Sequence, residues 1–457
     1  MKRARSPNSP ADYKKIRSSQ ETSDESVHHD ERMATTSNKN PENPSSSDNA
    51  PESPANAATT SSPSMPVESL TTKQQINQSP GYAYEPPNVD KANLPNVLEL
   101  VTGEKFVVRG VFGKGGSCTV FRVKDENGTQ CAAKLIAERI PEYPTYYELL
   151  AHEKIIKSPH TNLISFVVNG MLTDSLPGFN GEIIVTEGLG PSLRNVMRRA
   201  RLDTNRAYYP SFCTDNIKRI GSQIAKAMAH LETLKIFHLD LKAGNVVFVK
   251  PDIRYTIEHD DIQPTIQMGD IGIKVIDFGC SASHWEHWEN KKWRRVQPPA
   301  LRSPEVMMGL LYNEKSDVWS LGCLIAEMFV GQFIFYSTNG NTEQEKNQSQ
   351  FELTASRLNH AVPMDMIQAS QRGGCVNYYL LLFKTCEQSL PLDFRHCELD
   401  YNFLNERPPN DRDQLMNIMR EEADIPLYKL LKFMLIIDPN ERPSFEDVVQ
   451  HWFFEGI

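Results

Sequence analysis

Paired cysteines are missing from this chain. Its eight, Cys118, Cys131, Cys213, Cys280, Cys323, Cys375, Cys386 and Cys397, form no CxxC and have no histidine at zinc-ligand spacing. The cysteines give no signal for a disulfide framework or a zinc ribbon, and reduced thiols in a nuclear or cytosolic protein are expected. Long apolar runs are missing too. The opening MKRARSPNSP lacks the apolar stretch of a secretory signal. The most apolar later window, residues 427–437, is shorter than a bilayer span and holds Lys429 and Lys432. Nor is there a strong charge of one sign: the net −9 is mildly acidic and gives no overall signal for nucleic acid or a membrane surface. These absences predict a soluble protein of the nucleus and/or cytoplasm, with no membrane partner and no direct nucleic-acid partner.

From Met1 to about Lys91 there is no Phe, Trp or Cys, and Ser, Thr, Pro and Asn dominate. Such a segment cannot bury enough apolar surface to offset its ordering entropy, so residues 1–95 read as a disordered tail. Two basic clusters, Lys2-Arg3-Ala4-Arg5 and Lys14-Lys15-Ile16-Arg17, fit either a bipartite nuclear-import signal or a merely solvated basic tip. Ser6, Ser9, Ser53, Ser62 and Ser79 each precede proline and are candidate phosphate acceptors, although a Ser/Pro-rich tail also produces such pairs by composition.

What is present begins near residue 93. Residues 107–112 and 119–123 read as strands around Gly113-Lys114-Gly115-Gly116-Ser117-Cys118, and residues 131–136 follow the turn Glu126-Asn127-Gly128. A glycine-rich hairpin lets backbone N–H groups approach phosphates. Residues 146–157 have helical spacing and offer Glu148 and Glu153. Residues 183–186 form a short apolar run before Glu187-Gly188-Leu189-Gly190-Pro191. Ile217, Ile220, Ile224, Met228 and Leu231 mark one face of a helix. It leads to His238-Leu239-Asp240-Leu241-Lys242-Ala243-Gly244-Asn245 and the apolar residues 246–249. A second apolar run, 273–276, ends in Asp277-Phe278-Gly279. A carboxylate and an amide at the ends of adjacent strands can grip Mg²⁺ while another Asp faces a hydroxyl, which is what phosphoryl transfer requires.

In this order the motifs resemble those of a eukaryotic protein kinase, across about 350 residues. Further matches are His160-Thr161-Asn162-Leu163-Ile164 before the fourth strand and Arg302-Ser303-Pro304-Glu305, whose Glu305 pairs in the family with an arginine matched by Arg442. Asp317-Val318-Trp319-Ser320-Leu321-Gly322 opens a helix whose Asp holds the catalytic loop in the family. The wording around residues 296–309 and 317–323 looks most like the CMGC group, and Val296–Arg302 like its SR-protein kinase-like branch.

The resemblance implies an α+β, two-lobed fold after the tail: a mostly β small lobe at about 96–186 and a mostly α large lobe at about 187–457. It implies a serine/threonine kinase that uses ATP and Mg²⁺ on a protein substrate, SR-type or another nuclear protein. Gly113, Gly115 and Val120 match the phosphate loop, and Lys134 the lysine on the α- and β-phosphates. Glu187 and Leu189 match the backbone groups that read adenine, with Thr186 at the entrance to the pocket behind it. Asp240 is the implied base, Lys242 a phosphate-directed cation, and Asn245 and Asp277 the metal ligands. For the carboxylate that pairs with Lys134, Glu148 is favoured because Ile155 then falls two turns on, on the packed face; Glu153 is the alternative.

The sequence departs from the family in three places. Cys118 replaces the third glycine and is expected to be exposed at the loop tip near Lys114, favouring thiolate. Leu239 stands where most relatives have Arg, and Pro298 where most have a Thr whose hydroxyl bonds the catalytic Asp and Lys. Cys118 and Pro298 motivate the competing reading, a pseudokinase acting as a binding scaffold. Leu239 cannot receive a phosphate, and residues 284–302 contain no Ser, Thr or Tyr. Burial of Trp285, Trp288 and Trp293 is the expected means of ordering that segment; the alternative is that they complete a local core or face a partner. The acidic stretch 250–272 reads as a solvated loop in preference to a metal site, 337–350 reads as a mobile loop, and a capping box at Ser444–Asp447 starts a last helix over 448–454.

Overall fold

The computed structural model describes residues 82–83, 95–138, 145–204, 209–259, 263–283, 296–337, 341–358, 362–372 and 415–457. The two basic clusters, the Ser-Pro pairs and Trp285, Trp288 and Trp293 lie outside the described residues. Among the described residues no helix is long and apolar enough to cross a membrane.

After a two-residue strand, β1 (Tyr82–Ala83), the small lobe is built on β2 (Val97–Glu99), β3 (Lys105–Lys114), β4 (Cys118–Lys124), β5 (Gln130–Ala137), β6 (Phe166–Met171) and β7 (Phe179–Glu187). These form one antiparallel sheet in the order β2-β3-β4-β5-β7-β6. Alternation decides which face is inside: Thr119, Phe121 and Val123 of β4 are buried and their neighbours are not. The β4–β5 turn is held by Asp125, whose carboxylate accepts from Asn127 N (3.0 Å) and Thr129 N (2.7 Å), and Gly128 takes the left-handed conformation at φ 80°. Between β5 and β6 comes α1 (Thr145–Lys157), which buries Glu148, Ala151, His152 and Ile155 at three- and four-residue spacing.

The large lobe comprises α2 (Leu193–Asp203), β8 (Ser211–Phe212), α3 (Thr214–Thr233), β9 (Ile236–Phe237), β10 (Val246–Phe248), β11 (Arg254–Glu258), β12 (Thr265–Gln267), β13 (Ile273–Val275), β14 (Ala282–Ser283), α4 (Pro304–Met307), α5 (Glu314–Val330), α6 (Glu343–Leu358), α7 (Met364–Arg372), α8 (Ile425–Met434) and α9 (Phe445–Val449). On α3 the expected face, Ile217, Ile220, Ile224, Met228 and Leu231, is buried. Each such side chain contributes about 1.5–3 kcal/mol when fully buried, and this fixes the helix's orientation. Helix α5 is buried from Ser316 to Phe329, as a helix at the centre of a lobe must be. Asn313 caps its start and Gly331, at φ 81°, ends it.

Three segments differ from the sequence expectation. The stretch 250–272 is not a plain solvated loop. It holds the β11–β12 hairpin, which with β8 and β1 makes a four-stranded sheet in the order β1-β11-β12-β8. Tyr255, Ile257 and Ile266 are buried from it, so its acidic residues conceal an alternating strand. The stretch 337–350 is not a mobile loop throughout, because α6 begins at Glu343. Thr342 Oγ1 accepts from Glu345 N, Glu345 accepts from Thr342 N, and Phe351, Ala355 and Leu358 anchor the helix in the core. The capping box at Ser444 and Asp447 does start a helix, but that helix runs Phe445–Val449, with a separate 3₁₀ turn at Trp452–Phe454.

Candidate active site

Strand pairing sets the site. β10 and β13 are antiparallel with Val246 opposite Val275, and the ladder continues one step as Ile276 N donates to Asn245 O (3.0 Å). Asn245 and Asp277 therefore emerge from the same end of one two-stranded ribbon. Asp277 sits at φ 69°, a conformation that favours glycine and is kept where surrounding bonds hold it.

Lys134, on β5 and 8% exposed, reaches across the sheet to two carboxylates. Its Nζ donates to both oxygens of Glu148 at 2.9 Å and to Asp277 Oδ1 at 2.7 Å. Burial by itself would raise the Asp277 carboxyl, but the charge and hydrogen bond of Lys134 override it and hold it at about 2. Glu153 faces away from this cluster, in an exposed pair with Lys157.

Asp240 forms a second cluster. Its Oδ2 accepts from Lys242 Nζ (2.6 Å) and Asn245 Nδ2 (2.8 Å), and Asn245 Nδ2 also bonds the Asp240 carbonyl (2.9 Å). The loop carrying it is clamped from below by Asp317 of α5, whose two oxygens accept from His238 N (2.7 Å) and Leu239 N (2.8 Å). Desolvation raises the Asp317 carboxyl to about 6. The clamp, with a bond from Gln297 N to Leu239 O (2.8 Å), holds Leu239 at φ 60°. His238 accepts from Asp240 N at Nδ1 (3.2 Å), so Nε2 carries the proton shared with Ile276 O (3.1 Å).

A row of rings joins the lobes: His238 to Phe278 (5.4 Å), Phe278 to His152 (5.4 Å) and His152 to Phe166 (5.3 Å). Sequence reading did not single out His152, although its place four residues after Glu148 on the buried stripe of α1 was a signal. It is 2% exposed, its Nδ1 has no hydrogen-bond partner among the described residues, and desolvation with the nearby Lys134 charge lowers it to about 4, so it is neutral.

In the glycine-rich turn Gly115 N donates to Cys118 O (2.8 Å), and Gly113 stands opposite Val120 in the β3–β4 register. Cys118 corrects the expectation of an exposed thiolate. It is only partly exposed, and desolvation raises its thiol despite the neighbouring Lys134 charge. At the end of β7, Glu187 spends its amide on Ser165 O (3.0 Å) and its carboxylate on Ser165 N (2.6 Å) and Lys274 (2.5 Å). Leu189 is buried, and a Cβ on Gly188 would come within 2.6 Å of the Gln130 carbonyl, so the chain there lies close against β5. Far below, Arg442 makes a bidentate bond with Glu305 at 2.9 and 3.0 Å, both fully buried.

The structure thus gathers Lys134, Glu148 and Asp277 in one cluster and Asp240, Lys242 and Asn245 in another, joined by the β10–β13 ribbon. Among the described residues no group of three or more His, Cys, Asp or Glu is placed to cage a metal. The Asn245 and Asp277 oxygens suit a hard cation such as Mg²⁺, which takes one or two protein ligands and completes its shell with water and phosphate.

Residues 106–454 match the family model described as "Protein kinase domain". The chain is 25% identical over 361 residues to Serine/threonine-protein kinase Doa of Drosophila melanogaster, covering 77% of this chain and 39% of that protein. It is 26% identical over 246 residues to Dual specificity protein kinase CLK4 of Homo sapiens (53% and 46%) and 26% identical over 375 residues to Dual specificity protein kinase lkh1 of Schizosaccharomyces pombe (80% and 48%). It therefore spans less than half the length of each of these relatives, which are CMGC kinases of the SR-protein kinase-like branch. A crystal structure of a kinase domain shares the fold with a TM-score of 0.59 at 21% identity, covering 79% of this chain and 98% of the other.

Proposed function

The chain belongs to the protein kinase family, and from that premise we propose that it transfers the γ-phosphoryl group of ATP to a Ser or Thr hydroxyl of a protein. The observation that carries this reading is Lys134 bonded at once to Glu148 and Asp277, with the Asp240 cluster at the other side of the β10–β13 ribbon. A lysine fixed by one carboxylate and shared with a second is placed to hold phosphates beside a metal.

We assign the parts as follows. Gly113, Gly115 and Val120 cover the phosphates, with Lys134 on the α- and β-phosphates and Lys242 on the γ-phosphate. Glu148 orients Lys134. Asn245 and Asp277 hold Mg²⁺, which when bound neutralises charge on the transferring group. Asp240 orients the acceptor hydroxyl and takes its proton, a role worth roughly 10²–10⁴ in rate. Backbone groups of Glu187 and Leu189 contact adenine, in the segment where Gly188 lies close against β5. The small lobe is assigned to about 96–186 and the large lobe to about 187–457. A nuclear protein substrate, SR-type among the candidates, fits the branch that the sequence resembles and the basic clusters of the tail.

The scaffold reading rests on Pro298 and Cys118; neither supplies a hydrogen bond of the two clusters, which are made by Lys134, Glu148, Asp277, Asp240, Lys242 and Asn245. Incubating the purified chain with labelled ATP, Mg²⁺ and a peptide array, followed by phosphoamino-acid analysis, tests the proposal. Label on Ser and Thr is expected. Label confined to Tyr would overturn the acceptor class, and ATP binding without any transfer would favour the scaffold.

A further inference from the structure

Gln297 lies in the left-handed region at φ 60°, next to Pro298-Pro299, and is 5% exposed. Any residue with a Cβ is disfavoured there unless its bonds hold it. Those bonds are unusually complete. Nε2 donates to Ser316 O (2.8 Å) and Ser320 Oγ (2.9 Å), while Oε1 accepts from Ser303 N (3.0 Å) and Ser303 Oγ (3.1 Å). The carboxamide's two donors and two acceptor positions are all used. Exchanging its O and N would set an NH₂ against Ser303 N–H and a carbonyl against Ser316 O, so the partners fix the assignment. The main chain adds a bond from Gln297 N to Leu239 O (2.8 Å) and one from Arg302 Nη2 to Gln297 O (3.1 Å).

One residue therefore ties three elements: the loop that carries Asp240, the start of α4 at Ser303, and the buried helix α5. Pro298 and Pro299 have no N–H, so the chain beyond Gln297 cannot anchor itself by its own amides for two residues. Leu239, which receives the Gln297 bond, precedes Asp240 directly. A hydroxyl that meets Asp240 therefore arrives one residue along the chain from the Leu239 carbonyl to which Gln297 N donates (2.8 Å).

We propose that Gln297 is a positioning residue for the protein acceptor: its carboxamide holds the 296–303 stretch at a fixed distance from Asp240. This rests on the reading of Asp240 as the group that orients the acceptor hydroxyl.

The test uses the full chain and two variants. Gln297→Glu keeps the acceptor for Ser303 but loses both donors to α5. Gln297→Gly removes the side chain and also relieves the positive φ, which separates tethering from strain. Both variants are expected to raise KM for the acceptor peptide about tenfold, equivalent to about 1.4 kcal/mol, with KM for ATP unchanged. Amide hydrogen exchange across residues 296–303 and at Leu239 is expected to quicken. A Gln297→Gly protein that keeps the parent's peptide KM would overturn the proposal, as would equal rises in both KM values. Should the parent transfer phosphate to no acceptor, the kinase reading fails and exchange alone decides the tether: unchanged protection at 296–303 refutes it, and faster exchange upholds it.

Discussion

Replacing Asp317 by asparagine separates what its shape does from what its charge does. The carboxylate accepts from two buried amides, His238 N and Leu239 N, and the second belongs to a residue at φ 60°. Asparagine keeps one acceptor and turns an NH₂ towards the other N–H, leaving a buried donor unpaired at about 1–3 kcal/mol. The left-handed conformation of Leu239, itself costing about 1–2 kcal/mol, then loses half its clamp. Against this, the variant removes a buried charge. Desolvation raises Asp317 from the usual 3.8 to about 6, which corresponds to up to about 3 kcal/mol at about 1.4 kcal/mol per tenfold change in proton affinity. A raised folded-state value means that the folded protein holds the proton more tightly. The stability it contributes is full below about pH 4 and is lost as pH rises through about 6.

At pH 7.5 the two effects nearly offset each other, so Asp317→Asn should melt close to the parent. Between pH 4.5 and 7 the parent should lose stability relative to the variant. Thermal or urea melts at matched ionic strength across that range measure the difference, which cancels the other titrating groups. The kcat of the variant should nevertheless fall, by about 10²-fold if the loop moves by an ångström. Parallel pH profiles for the two proteins, or an unchanged kcat, would refute the reasoning.

Arg442→Met strands Glu305, whose carboxyl is depressed mainly by Arg442 against the opposing effect of burial, and should cost about 3–5 kcal/mol in chemical denaturation. The double variant with Glu305→Gln should recover part of that loss; strictly additive costs would show that the two are not coupled. Glu148→Gln should reduce kcat/KM for ATP about tenfold to a hundredfold, the worth of a hydrogen bond to a charged group. The same change at Glu153, in its exposed pair with Lys157, should leave the kinetics alone, and reversed results would exchange the two roles. Cys118, with its thiol raised by burial, should react with iodoacetamide more slowly at pH 7 than a free cysteine and accelerate only in alkali, read by peptide mass spectrometry. Faster labelling at neutral pH would contradict that placement.

Motifs carried by short-range spacing were legible in the sequence. The HLDLKAGN stretch, Asp277 and Lys134 announce themselves because each needs fixed neighbours, and the α3 stripe needs only periodicity. Glu148 was legible as a preference, since Ile155 shares its face, but the distance to Lys134 required the sheet. The β11–β12 hairpin was hidden because Arg254, Thr256 and Glu258 on its outer face outweigh Tyr255 and Ile257 in composition. Helix α6 was hidden in the same way by its polar first turns. His152 looked like one polar residue on an apolar stripe, and only the rings on both sides give it a place. Gln297 left no signal at all: its positive φ, its main-chain bond to Leu239 and its four side-chain bonds to Ser303, Ser316 and Ser320 depend on partners that no local pattern encodes.

The most direct measurement is single-turnover transfer of labelled γ-phosphate from ATP to an acceptor peptide, comparing the parent with Asp240→Asn at saturating Mg²⁺. Asp240 accepts from Lys242 and Asn245 but touches neither Lys134 nor Glu148 in the bonds described above, so nucleotide affinity should stay close to the parent's. The rate of transfer should fall by roughly 10²–10⁴. Equal rates in the two proteins would mean that Asp240 is not the group that handles the acceptor proton, and the assignment of the site would have to be abandoned.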